Sequence, residues 1–440
     1  MNEKNFKQRI SERLLRIMAS AVLRKYRPLV VGVTGSVGKS SAKEAAALVL
    51  SHDMRVRKSE GNFNNEIGVP LSVLGVGSGG NALSRLLSAF FRTIGYVLFP
   101  MKFPEVLVLE MGIDRPGDMG YLVEFVPVRI GVVTRIAESH IEYFGTIDAI
   151  AKEKGKLITT LSEDGFAVLN ADDARVVSLS GKTKAVPLTY GTAEGADVRA
   201  ENLALFDTEG GIGTTFKLGY QGKTIPVRLP GVVARHHVED ALAGAAVGIA
   251  AGMNLVDIAR SLEAFAPLPG RVRFLRGRDG IGLLDDTYNS SPTSLRAALG
   301  TLGEITVRRK VVMLGDMLEL GADSETEHRA MAGDILATGV GLAVLVGKRM
   351  HVLGEELISR GMSRGQVFFF PDPDAATEVV CDLVDEGDLV LIKGSQGMRM
   401  EKLTRVLLRD PDEAWRLLCR QREVWRRKPF TPPAEWSSLV

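Results

Sequence analysis

Cysteine is nearly missing from this chain: two residues, Cys381 and Cys419, in 440. Neither lies at metal-ligand spacing, and two thiols exclude a disulfide framework, so a reducing compartment, the cytoplasm, fits. An excess of one charge is missing too. With 55 Lys and Arg against 53 Asp and Glu, no strong overall field draws the chain to nucleic acid. No apolar run reaches the length of a membrane span. The nearest, residues 86–100, is short and interrupted by Arg92. It reads either as an interfacial helix touching lipid or as a helix buried against the protein or a partner. Repeats, low-complexity tracts and a secretory leader are not seen either: residues 1–27 mix basic, acidic and apolar side chains without a cleavage site.

What is there suffices for two or three domains, with 45% hydrophobic and 25% charged residues. Residues 1–27 read as an amphipathic helix, with Phe6, Ile10, Leu14, Ile17 and Met18 at helical spacing among Lys and Arg. From 28 to 268 short apolar runs such as Val106–Leu109, Ile130–Val133 and Ala167–Leu169 alternate with helical stretches, the pattern of an α/β parallel sheet. Residues from about 190 to 230 read as a small antiparallel insertion, with runs at 214–218 and 224–229 between Gly-rich turns. A linker is expected at 267–270. Beyond it, runs at 282–284, 310–314, 342–346 and 389–392 alternate with helices like a second doubly wound domain over 269–410. A basic tail, 411–440, would carry a solvated helix over 415–427. The fold class is therefore α/β: a central domain with a parallel sheet, and a C-terminal Rossmann-like α/β domain.

The most informative stretch is Gly32-Val33-Thr34-Gly35-Ser36-Val37-Gly38-Lys39-Ser40-Ser41. It lies between a strand-like run and a helix-like one, as a phosphate-cradling P-loop requires. Gly35 and Gly38 let backbone approach an anion, and amides of Ser36, Ser40 and Ser41 open a helix. Lys39 brings charge, and the Ser40 hydroxyl can hold Mg²⁺. The chain is thus expected to bind ATP or GTP. Glu110 ends an apolar run, where a carboxylate serves either as a Mg²⁺ ligand or as a solvated strand end. His140 reads as a second metal ligand or as a structural histidine. Lys154, amid Lys152, Glu153 and Lys156, reads by itself as a surface lysine. Asp285-Asp286-Thr287-Tyr288-Asn289 and Lys393-Gly394-Ser395 follow strand-like runs at ligand-edge positions.

Four strings together resemble the Mur ligases, the ATP-dependent amide-forming enzymes of peptidoglycan synthesis. They are Gly61-Asn62-Phe63-Asn64-Asn65-Glu66-Ile67-Gly68-Val69-Pro70, Asp285-Asp286-Thr287-Tyr288-Asn289-Ser290-Ser291-Pro292, Leu314-Gly315-Asp316-Met317-Leu318-Glu319-Leu320-Gly321 with His328, and Lys393-Gly394-Ser395-Gln396-Gly397-Met398. The branch that adds D-alanyl-D-alanine to a UDP-MurNAc-peptide is the nearest. The resemblance implies ATP and Mg²⁺ as cofactors, with Lys39 on the phosphates and Ser40, Glu110 and His140 on metal. Lys154 would be the carbamylated lysine, another metal ligand. It also implies Arg271 and Asp286 on the nucleotide, His236 on its adenine side, Lys393 as a catalytic group, and Asn62, Asn64, Asn65, Asn289 and Ser291 near substrate. An acyl phosphate, then attack by an amine, is the implied chemistry.

The departures from the pattern concern substrates. About 31 residues precede the P-loop where peptidoglycan ligases carry a UDP-sugar-binding domain. This leaves three expectations: a different grip on the UDP-sugar, a partner that supplies it, or an acceptor that is a non-UDP peptide, polymer or lipid-linked carboxylate. His237 and Asp240 stand where asparagines are usual, Lys156 where an acid is usual, and Ser290-Ser291 where Ala-Asn is usual. A catalytically silent nucleotide-binding scaffold is the alternative outside enzymes.

Overall fold

Apolar runs without polar alternation become strands covered on both faces, and they fall here into two units. The computed structural model describes residues 6–61, 63–138, 141–208, 211–434 and 436. One unit comprises Met1–Ala204, Thr215–Leu229 and His236–Phe265; the other comprises Leu205–Thr214, Pro230–Arg235 and Ala266–Val440.

The strands lying wholly or mostly in the first unit are β1 (Leu29–Thr34), β2 (Val56–Lys58), β3 (Val106–Glu110), β4 (Ile130–Val133), β5 (Phe166–Asn170), β6 (Val186–Gly191), β7 (Val198–Thr208), β8 (Gly211–Tyr220) and β9 (Lys223–Pro230). Among the described residues they run in the order β2-β3-β1-β4-β5-β6-β7-β8-β9. β1 lies between β3 and β4, parallel to both, with Val33 opposite Glu110 and Thr34 opposite Val133. Chain order reverses beside β1, and a crevice for ligands opens at the carboxyl ends of strands at such a point. The register therefore sets Glu110 beside the loop that follows β1.

Four helices of this unit bear on its chemistry and its surface: α1 (Phe6–Tyr26), α2 (Lys39–Leu50), α3 (Gly68–Leu74) and α4 (Ala82–Leu98). α2 is alanine-rich, so the helix Arg235–Ala250 comes very close: a Cβ added at Gly244 would lie 2.8 Å from that of Ala45.

The fold corrects three expectations. α1 is helical, but its buried face is Leu15, Ala19, Val22 and Leu23, while Ile10, Leu14 and Ile17 face solvent. The expected antiparallel runs of the 190–230 segment are β8 and β9, but its first strand differs: β7 pairs in parallel with β6, Tyr190 opposite Val198, and extends the main sheet. Between β8 and β9 only Gln221 and Gly222 intervene, a two-residue turn that joins antiparallel strands. The third concerns the tail. Its 415–427 stretch is two four-residue helices, Ala414–Leu417 and Glu423–Arg426, separated by Arg420 at φ 56°. Arg420 turns inward, donating to Thr287 O (3.0 Å) and Glu401 Oε2 (3.1 Å).

The second unit's sheet runs β10-β11-β15-β12-β13-β14, from Arg273–Arg276, Gly282–Asp286, Asp388–Lys393, Arg309–Gly315, Val340–Val346 and Val367–Phe370 respectively. β10 is antiparallel to β11; the other pairs are parallel. Asp286, Gly315 and Lys393 stand at adjacent carboxyl ends, again where the order reverses.

Candidate functional site

The loop after β1 wraps where only glycine fits. A Cβ on Gly35 would lie 1.9 Å from Thr134 Oγ1, and Gly38, at φ 84°, starts α2 without a side-chain cap. The first amides of α2 are thereby left for an anion. Thr134 Oγ1 donates to Val37 O (2.6 Å), Ser36 N to Arg135 O (2.5 Å) and Ser36 Oγ to Ala137 O (2.8 Å), so the loop is fixed from outside. Two ammonium groups meet on its inner carbonyl: Lys39 Nζ and Lys154 Nζ each donate to Gly35 O at 2.8 Å. Burial, then the Lys39 charge, pushes the Lys154 pKa down to about 7, opposed by Asp114. Burial thus favours the neutral amine relative to an ordinary lysine. Lys154 is 2% exposed, so its surface reading is corrected.

Hard oxygen donors face the two lysines. Ser40 Oγ donates to Glu110 Oε2 (2.8 Å) and Asn64 Nδ2 to Glu110 Oε1 (3.0 Å). Glu110 is 3% exposed, and the solvated-strand-end reading falls. Lys43 Nζ lies 3.9 Å from Glu110 and donates to Ser59 O, while Ser59 Oγ accepts from the Glu110 amide. A cavity of about 70 Å³ is lined by Ser36, Lys39, Asn64, Asn65, Asp114 and Lys154 among others, and Asn64 links it to Glu110. A hydroxyl and a carboxylate at the mouth of an anion loop suit Mg²⁺, which takes oxygen ligands and keeps water. Two lysines at one carbonyl suit a polyphosphate.

In the second unit, Lys393 Nζ donates to Asp286 Oδ2 (2.6 Å) and to Asn289 O (2.8 Å), and Asp286 Oδ1 accepts from Val272 N (3.3 Å). Asp285 accepts from Gly270 N, Thr287 Oγ1 and Thr404 Oγ1. Burial lifts its pKa to about 6 against those bonds. The Arg271 guanidinium lies 4.0 Å from the Tyr288 ring centre, and Ser291 caps the helix Pro292–Glu304 in a capping box with Ser294. His328 Nε2 accepts from Met317 N (3.0 Å), so its proton sits on Nδ1, facing Ser324 O (2.6 Å). This histidine shapes the turn after β12.

With this geometry in view, the likeness to known proteins is specific. Residues 94–248 match the Mur ligase middle domain, and residues 270–396 the "Mur ligase, glutamate ligase domain". The UDP-N-acetylmuramoyl-tripeptide–D-alanyl-D-alanine ligase of Escherichia coli (strain K12) is 31% identical over 395 residues, 89% of this chain and 79% of that protein. The chain belongs to the Mur ligase family. The same-named ligase of Bacillus subtilis (strain 168) is 29% identical over 399 residues, covering 90% and 79%. A crystal structure of MurF from Acinetobacter baumannii superposes with a TM-score of 0.73 at 26% identity, covering 89% and 79%. The MurF ligase from Thermotoga maritima in complex with ADP gives 0.69 at 25%, covering 90% and 83%. The fold is that of the Mur ligase central and C-terminal domains.

Of the residues expected from sequence, Gly35, Ser36, Gly38, Lys39, Ser40, Glu110, Asn64, Asn65 and Lys154 come together around the loop. Ser41 is buried within α2. Asn65 also caps α3, its Oδ1 accepting from Gly68 N (2.9 Å). His236 is exposed at the start of the helix Arg235–Ala250, its ring 4.1 Å from that of His237. His237 in turn bonds Asp240 (3.1 Å). Lys156 turns away to Glu153 (2.7 Å). His140 and Asn62 lie outside the described residues. Asp286, Asn289 and Lys393 assemble in the second unit. Ser59, Lys43, Thr134 and Asp114 were missed. The spacing of Asp114, four residues past Glu110, was a usable signal; Ser59 and Thr134 gave none.

Proposed function

We propose that this chain is an ATP-dependent carboxylate–amine ligase that adds D-alanyl-D-alanine to a UDP-MurNAc-peptide in the cytoplasm. The observation that carries it is the convergence of Lys39 and Lys154 on Gly35 O, in the same loop that opens onto the Ser40–Glu110 oxygen pair. That arrangement suits phosphoryl transfer, where positioning and charge neutralisation do most of the work. The named activities of the relatives support the same reading.

In this reading a substrate carboxylate oxygen attacks the γ-phosphorus of ATP and ADP leaves. The amine nitrogen then attacks the acyl carbon, inorganic phosphate leaves with the former carboxyl oxygen, and the nitrogen gives up a proton. Lys39 and the α2 amides hold the phosphates. Mg²⁺, with Ser40, Glu110 and His140 as ligands, would offset phosphate charge. Lys154, with its depressed pKa, holds the neutral amine that carbon dioxide can carbamylate, and the carbamate would supply a further anionic oxygen there. Arg271 and Asp286 would bind the nucleotide, and His236 its adenine side. Asn62, Asn64 and Asn65 would meet the acceptor, and Asn289 and Ser291 the amine. Lys393, buried and paired with Asp286, acts by setting the loop at 286–290.

The purified chain, given ATP, UDP-MurNAc-tripeptide and D-alanyl-D-alanine, should yield ADP, phosphate and the pentapeptide by mass spectrometry. Phosphate release that ignores both acid and amine would leave a nucleotide-binding scaffold. Product only with lipid-linked or non-UDP acceptors would keep the chemistry and replace the acceptor. The exposed apolar face of α4 favours that second reading.

A further inference from the structure

α4 is held firmly at both ends yet covered on little of its surface. Lys25 Nζ donates to the carbonyls of Tyr96 (2.8 Å), Val97 (3.1 Å) and Phe99 (3.2 Å), placing a cation on the helix's C-terminal end. Tyr26 OH reaches Tyr96 O (3.0 Å), and Asn81 caps the N-terminus through Ser84 N. Only Ala89 and Tyr96 of this helix are buried. Leu83, Leu87, Phe90, Phe91, Val97 and Leu98 are between 40% and 70% exposed, and Phe99 and Met101 continue the patch. Positions 83, 87, 90, 91, 94 and 98 fall on one helical stripe. A contiguous apolar face of this kind on a globular protein marks an interaction surface. The neighbouring α1 adds exposed Ile10, Leu14 and Ile17.

Charge decides what covers it. Residues 67–104 contain no Asp or Glu, but they hold Arg85, Arg92 and Lys102. Arg92 and Lys102 are exposed, as are Arg9, Arg13 and Arg24 beside the apolar residues of α1. In a chain of net charge +2, the stretch that carries α4 thus holds three cations and no acid. No described helix is long and apolar enough to cross a membrane. An apolar stripe, with Arg92 exposed on the opposite face of the helix and Lys102 just past its end, suits a helix lying in the plane of an anionic bilayer surface. We propose that α4, flanked by α1, docks this protein on an anionic phospholipid membrane, with its leucines and phenylalanines in the headgroup–acyl boundary and its cations on the phosphates. The inference rests on this surface alone and stands or falls apart from the ligase reading.

The test is co-sedimentation of the full chain with vesicles of phosphatidylcholine alone or mixed with phosphatidylglycerol, at low and high salt. Wild type should sediment with the mixed vesicles and be weakened by salt. The exposed-site variant Leu87→Gln/Phe91→Ser/Leu98→Gln should bind at least about tenfold more weakly, with an unchanged melting temperature. Arg92→Glu/Lys102→Glu should lose about tenfold or more, since each cation near the surface is worth about fivefold, and should no longer prefer the anionic lipid. Wild type that ignores anionic vesicles, or an apolar-face variant that binds as well as wild type, overturns the proposal. So does a wild-type dimer in sedimentation velocity that the same variant converts to monomer, because a second copy then covers the face.

Discussion

Lys154 shows how much a single side chain's role depends on where the fold carries it. In sequence it is one of three lysines in five residues; in the fold it is buried against Gly35 O with its pKa lowered to about 7. Lys154→Ala should lose most turnover and regain part of it when short carboxylic acids are added, since they restore the anionic oxygen a carbamate would supply. A rate unaffected by such acids argues against that role. Lys39→Ala, which strips charge from the phosphate loop, should lower kcat/KM by about 10³ with little change in melting temperature. Asp285 titrates the opposite way. Its carboxyl pKa rises to about 6 in the fold, from 3.8, so the folded state binds the extra proton between these values and stability falls as pH rises through that window. The cost is complete above about pH 6. The stability of Asp285→Asn minus that of wild type should therefore grow by about 2 kcal/mol between about pH 4 and pH 7. A difference that stays flat across the range in urea titrations would remove this account.

At the scale of elements, legibility followed covering. β3, β4, β5, β12, β13 and β15 could be read because both faces are buried and the apolar run is unbroken. β10 was not, because it is a four-residue edge strand with arginine at both ends. β2, three residues long, offers no pattern at all. α1 carries two apolar stripes, at 10, 14 and 17 and at 15, 19, 22 and 23. Periodicity found a helix but chose the solvent-facing stripe, because only the neighbours α3 and α4 decide which one is covered. The tail failed as a helix because Arg420 adopts a positive φ to reach the Thr287 and Tyr288 carbonyls. The cap of the helix Pro292–Glu304 carries a prediction of its own. Ser291 spends its hydroxyl on Ser294 N (3.3 Å) and meets Ser294 Oγ (3.1 Å), so Ser291→Ala should cost about 1 kcal/mol of stability. A shift in amine KM without that loss would make it a substrate group instead of a cap.

For the whole molecule, one buried contact ties distant parts of the second unit together. Lys393, at the end of β15, pairs with Asp286, 107 residues earlier, and both are nearly sealed from water. Removing one partner strands the other charge. Lys393→Met should thus cost about 3–5 kcal/mol in chemical denaturation, and Asp286→Asn in the same chain should return part of it. No return would mean the pair is not what holds the loop. The sequence by itself determined that the chain alternates strands with helices and that a phosphate loop with Lys39 and Ser40 opens α2. Local pattern and short motifs suffice for these, because backbone geometry and residue type are written within a few positions. Tertiary structure alone decided that Glu110 accepts from Ser40, that Lys154 is buried with its pKa lowered, that Lys393 pairs with Asp286, and that an apolar stripe of α4 is left in water. Each of those depends on which distant side chains exclude solvent, and burial, unlike periodicity, is a property of the packed whole.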